Sequence, residues 1–395
     1  MASSFWLSSR IDRSPSFPIP PAVTLISFSR QSRPVISHQP PLHLRTRETR
    51  FKKIQKFSSS EATLFSRCYS SHRPNTSAGG SVEKEVSNDQ SDKIVEKEEE
   101  VLSSWTDFSK KVRPYAYLAR LHKLSPTWLF AWPCFWSITL ASPSSKLLDI
   151  KMLVLFGLGS LFLRSLACVV NDILDRDIDA KVERTKSRPL ASGLLTPYDG
   201  LRFLGFLVLL YLGFLLQLNN YSRVLGLLLL PLICSYPLMK RLTFWPQAYL
   251  GVAFNWGALL GWGAIEGTLN YAVSLPLYLS GVFWTLVYDT IYAHQDKEDD
   301  LRVGVKSTAI LFGDQTKIWI TGFGIASIIS LSLSGYNASI GWPFYASLIA
   351  ASAQLAWQIW TADLSNPADC SKKFLSNIWY GAIVFGGILF GRLVT

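Results

Sequence analysis

The chain has 395 residues, of which 49% are apolar and 17% charged, with a net charge of +11. That balance excludes an ordinary soluble protein and points to the membrane class. Much of the positive excess lies in the first 75 residues, away from the apolar segments, so it marks a basic tail and excludes a nucleic-acid surface.

Residues 1–75 are rich in Ser, Arg and Pro, with Asp12, Glu48 and Glu61 as acids, the composition of an organelle transit peptide. The competing reading is a basic arm retained on the mature protein. Residues 76–104 carry a charge run that includes Glu83, Lys84, Glu98, Glu99 and Glu100, and read as a solvated linker. A membrane-embedded domain is expected over 105–395. Within it, apolar runs recur at about 126–142, 152–170, 201–218, 223–239, 248–265, 272–293, 317–335, 341–361 and 374–391. Each approaches the roughly 20 residues a helix needs to cross the hydrocarbon core. The expected fold is therefore an all-α membrane protein with about nine transmembrane helices. Five cysteines (Cys68, Cys134, Cys168, Cys234 and Cys370) stand far apart with no CxxC pair, so neither a disulfide framework nor zinc is expected.

With nine spans, the N-terminal flank and the loops after spans two, four, six and eight share one side. That side carries Arg176, Lys181, Arg184, Lys186, Arg188, Lys240, Arg241, Lys297, Arg302, Lys306, Lys372 and Lys373. The opposite side has little beyond Lys146, Lys151, Arg223 and Arg392. By the positive-inside rule, the first side faces the cytosol or an organelle's inner compartment.

The second span runs into Asn171-Asp172-Ile173-Leu174-Asp175-Arg176-Asp177-Ile178-Asp179. On a continuing helix Asp172, Asp175 and Asp179 fall within about 60° of one another, and Asp177 points away. The sixth span runs into a segment in which Asp289, Tyr292, Asp296 and Asp300 fall within about 80°. Carboxylates gathered at a membrane boundary raise one another's pKa unless a cation neutralises them. Magnesium takes one or two carboxylates together with substrate phosphates, so both clusters can share a diphosphate through Mg2+. The bland alternative is a pair of solvated charged loops. Arg164, inside the second span, is a candidate for a phosphate or carboxylate, or else pairs with Asp175 or another acid. Lys186, Arg188 and Lys306 follow the motifs and either clamp the diphosphate or simply mark the positive side. A secondary transporter or ion pathway, which also uses intramembrane Asp and Arg, is the rival from another class, though it predicts acids near the midplane.

These segments resemble the UbiA-type intramembrane prenyltransferases. The resemblance covers about residues 115–390 and rests on Asn171–Asp179 with Arg184-Thr185-Lys186-Ser187-Arg188-Pro189-Leu190, on Tyr236-Pro237-Leu238-Met239-Lys240-Arg241, and on Tyr292–Asp300 with Lys306-Ser307-Thr308. Within the family, the second and third segments are similar to the 4-hydroxybenzoate branch. The resemblance implies helices around a central cavity, with Mg2+ held by Asp172, Asp175, Asp296 and Asp300 and with Asn171 and Asp179 nearby. Arg241 matches a position assigned to the aromatic carboxylate, and Lys240 and Tyr292 belong to the same segments. The implied substrates are polyprenyl diphosphate and 4-hydroxybenzoate, with Asp289 or a free carboxylate of the second motif taking the ring proton. Expected partners are the lipid bilayer and other quinone-synthesis proteins. The implied location is the mitochondrial inner membrane with the site facing the matrix, a plastid membrane being the alternative. Geranyl transfer to the same acid in secondary metabolism is the competing activity, and a silent scaffold for quinone synthesis is a third reading.

Overall fold

The computed structural model describes residues 108–143 and 148–395. The expected transit peptide (1–75) and linker (76–104) lie outside the described residues. A first helix, α1 (108–118), ends in a turn where Arg120 takes a left-handed backbone with φ 57°. Apart from short helical turns, the longer helical segments among the described residues are α2 (Thr127–Ala141), α3 (Ile150–Leu174), α4 (Pro197–Leu216), α5 (Asn220–Leu242), the broken pair α6 (Pro246–Phe254) and α7 (Gly257–Glu266), α8 (Tyr271–Ala293), α9 (Thr316–Asn337), α10 (Trp342–Thr361) and α11 (Pro367–Val394). They sit where the nine apolar runs predict them. Among the described residues, seven are long and apolar enough to cross a membrane, the broken pair counting as one. The exceptions are α2, with only 15 residues, and α10, whose apolar character is diluted by Gln354, Gln358 and three Trp.

The helix starts are written locally. Asp149 caps α3 by accepting from the Met152 N–H, Asn219 caps α5 through Ser222, and Thr196 and Asp199 close a reciprocal capping box on α4. Packing then assembles the segments. Each lies against its chain neighbour, and α11 returns to α2, which closes a ring. The short α2 serves two cores because its faces alternate at helical spacing. Leu129, Trp132, Trp136 and Leu140 join the core built on α8–α11, whereas Phe130, Cys134 and Ile138 join the core built on α3–α5. Gly257 and Gly261 of α7 let it approach α2 closely, since a Cβ at either would collide with Cys134 or Ser137. Large apolar side chains such as Ile318, Ile349 and Trp379 remain exposed, which suits contact with lipid.

Candidate active site

Both acidic motifs lie where a long helix breaks, and not on the continuous helices that the sequence reading used. Helix α3 ends at Leu174, Asp175 leaves helical geometry at φ −98° and ψ 10°, and a single turn, Arg176–Asp179, follows. This break swings Asp179 back beside Asp172, and Arg188 bridges the two at 2.5 and 3.1 Å. Arg120 reaches the same Asp172 oxygen at 2.8 Å. Asp175 receives Arg241 at 3.2 Å and Lys240 at 3.5 Å, and Lys240 also donates to Asn171 Oδ1 at 3.1 Å.

Helix α8 ends at Ala293, passes through the 3-10 turn His294–Asp296, and continues as the short helix Lys297–Val303. Gly304, with φ 76°, terminates it in a left-handed conformation open to glycine. Asp296 accepts a two-pronged bond from Arg184, with Nε to Oδ1 at 2.8 Å and Nη2 to Oδ2 at 2.6 Å. One arginine from the first motif's loop thus grips the second motif. Partial burial opposes the Arg184 charge, and its bonds to Asp296 outweigh that, holding the guanidinium above its ordinary pKa.

A cavity of about 160 Å³ opens between the motifs, lined by Asp175, Asp179, Asp289, Asp296 and Asp300 and by Arg184, Arg188, Lys240, Arg241 and Lys306. Tyr236, Gln247 and Tyr292 complete its polar and aromatic wall. Asn171 and Asp172 support this wall from behind by holding Lys240, Arg120 and Arg188. Two predicted residues do not join it. Arg164 pairs with no acid among the described residues; it donates to the Arg120 carbonyl at 3.3 Å and to Thr127 at 3.4 Å, which steadies the left-handed Arg120 turn. Lys186 pairs with Glu183 at 2.6 Å on the exposed outer face of its loop. Sequence reasoning missed Arg120 and Gln247 and gave Arg184 no role. Arg120 carries no motif signal, because its partner is 52 residues away.

Among the described residues, no three carboxylate, imidazole or thiolate groups gather closely enough to hold a metal alone. The donors nevertheless suit magnesium, which binds oxygen and accepts few carboxylates when phosphate supplies the rest. Asp172 Oδ2 is buried without any hydrogen-bond partner, a vacancy that an added donor or cation would fill.

A helical membrane bundle whose two acidic motifs and facing cations line one cavity defines a membrane-embedded prenyltransferase. The chain belongs to the UbiA prenyltransferase family, whose profile it matches over residues 130–381. It is 63% identical over 306 residues to the mitochondrial 4-hydroxybenzoate polyprenyltransferase of Arabidopsis thaliana, covering 77% of this chain and 74% of that one. It is 54% identical over 292 residues to 4-hydroxybenzoate geranyltransferase 2 of Lithospermum erythrorhizon, covering 73% and 95%. The fold is similar to that of a UbiA homologue from Aeropyrum pernix K1, with a TM-score of 0.57 at 22% identity over 67% of this chain and 97% of that one.

Proposed function

We propose that the protein transfers a long-chain prenyl group from polyprenyl diphosphate to the ring carbon ortho to the hydroxyl of 4-hydroxybenzoate, a step of ubiquinone biosynthesis. The observation that carries this reading is the convergence of both acidic motifs on one cation-lined cavity, in a chain so similar to a polyprenyltransferase of that name. Asp172, Asp175, Asp179, Asp296 and Asp300 are the residues to hold Mg2+. When bound, the metal draws charge onto the diphosphate and so eases its departure. Arg184, Arg188, Lys240, Arg241 and Lys306 line the cavity in which that charge accumulates and stabilise it. The allylic C–O bond breaks with its electron pair leaving on the diphosphate. Tyr236 and Tyr292 line the same cavity and give it aromatic walls around the resulting cation. The acceptor's ortho carbon then forms the new C–C bond, and its proton passes to Asp289, which like Asp300 lines the cavity with no ion-pair partner among the described residues but is not among the residues given to the metal.

The protein is a mitochondrial membrane protein in this reading. The concentration of basic loops on the motif side supports an inner-membrane orientation with the site toward the matrix. The likeness to the geranyltransferases keeps one alternative, transfer of a geranyl group to the same acid. The deciding experiment is a transfer assay with ring-labelled 4-hydroxybenzoate in membranes containing the full chain, offered geranyl or long-chain prenyl diphosphate with and without Mg2+. Long-chain, Mg2+-dependent labelling is the expected result; geranyl-only labelling supports the alternative, and no transfer overturns both.

A further inference from the structure

Gln247, near the start of α6, is 5% exposed and lines the cavity. Its Oε1 accepts the backbone N–H of Thr308 at 3.0 Å. A backbone N–H pairs only with an acceptor, so this bond decides which way the amide faces. Thr308 is itself held, its hydroxyl 2.7 Å from that of Thr290 on α8, and the neighbouring Lys306 N–H donates to the Lys240 carbonyl at 2.8 Å. With its carbonyl engaged, Gln247 has only its NH2 to offer the cavity, and that group has no hydrogen-bond partner among the described residues. The cationic lining groups differ in this respect. Arg184 is engaged by Asp296, and Lys240 and Arg241 by Asp175.

We propose that the Gln247 NH2 donates to the carboxylate of the aromatic acceptor, which makes Gln247 a specificity-determining residue for that substrate. The inference rests on the 4-hydroxybenzoate reading above. Ring chemistry selects the carboxylate over the hydroxyl. Attack from the ortho carbon is driven by the hydroxyl lone pair, and a donor bound to that lone pair would withdraw the density the reaction uses. The carboxylate lies meta to the reacting carbon, where a donor opposes the chemistry least. A neutral amide also binds a carboxylate without adding a cation that would compete for the diphosphate.

The test is a pair of full-length variants assayed in membranes with each substrate varied in turn. Gln247→Glu keeps an acceptor for Thr308 but replaces the donor with a carboxylate oxygen, and Gln247→Met keeps the volume while removing both the donor and the carbonyl that Thr308 uses. Both should raise KM for 4-hydroxybenzoate about tenfold or more, the loss expected for a hydrogen bond to a charged group. In Gln247→Met, KM for the prenyl diphosphate should stay within about threefold of wild type, on the same scale. An unchanged KM for 4-hydroxybenzoate in both variants, or an equal rise for both substrates in Gln247→Met, overturns the assignment. A wild-type protein that transfers nothing to 4-hydroxybenzoate refutes the functional reading instead. Equilibrium binding of labelled 4-hydroxybenzoate to the purified full chain then decides separately: weaker binding by Gln247→Met supports the contact, and equal binding, or none by wild type, overturns it.

Discussion

Arg188 ties Asp172 to Asp179, so its removal leaves two carboxylates short of a partner, and the Asp172 side chain is only 1% exposed. Breaking a buried pair from one side costs about 3–5 kcal/mol, and here less, because Arg120 still reaches Asp172. Arg188→Ala should therefore lower the melting temperature in detergent and reduce turnover by about 100-fold, the scale for losing a donor at a developing anion. Arg188→Lys keeps the charge but not the fork and should recover part of the stability with little of the activity. Full activity in Arg188→Ala would remove the residue from the site. Asp172 and Asp179 were legible in the sequence as carboxylates seven positions apart, at helical spacing. Their cation partners were less so. The Arg184 bond to Asp296 spans 112 residues, and a pairing of that kind leaves no periodic trace in either segment.

Hydropathy locates the spans well and their interruptions poorly, because a window average passes over a single polar residue. Asn255 shows why. Its side chain donates to the Gly251 carbonyl at 2.8 Å and to Thr285 of α8 at 2.9 Å, and so covers a carbonyl left where α6 stops and ties the break to α8. The sequence reading made this stretch one run, 248–265. The same limit applies at the motifs, where a break after Leu174 and another after Ala293 do the positioning that a continuous helix was expected to do. Helix contact is more sharply encoded. A Cβ on Gly261 would meet Ser137 and the Cys134 carbonyl, the latter at 2.9 Å. Gly261→Val should force α7 from α2 and destabilise the protein by about 1–3 kcal/mol or more, read as a lower melting temperature. Gly205→Val on α4, where nothing lies within 4 Å of the added Cβ, is the control and should melt near wild type.

At the scale of the molecule, the site draws one motif from each core, since Asp175 ends the α3 side and Asp296 ends the α8 side. Among the described residues one ion pair joins the two motifs directly, Arg184 to Asp296, whose arginine side chain is 43% exposed and therefore contributes little by itself. A ligand that engages both motifs should consequently add stability that neither motif supplies alone. Saturation at about 100 times Kd adds about 2.7 kcal/mol to the folded state. Geranyl diphosphate with Mg2+ should thus raise the melting temperature of the full chain by several degrees, and chelation of Mg2+ should abolish the rise. Asp296→Asn should remove most of the shift while its unliganded melting temperature stays close to wild type, because the bond it weakens is partly solvated. An equal shift in Asp296→Asn and wild type would mean that the second motif does not share the ligand, and the two-motif site would have to be redrawn around Asp175 and Asp179 alone.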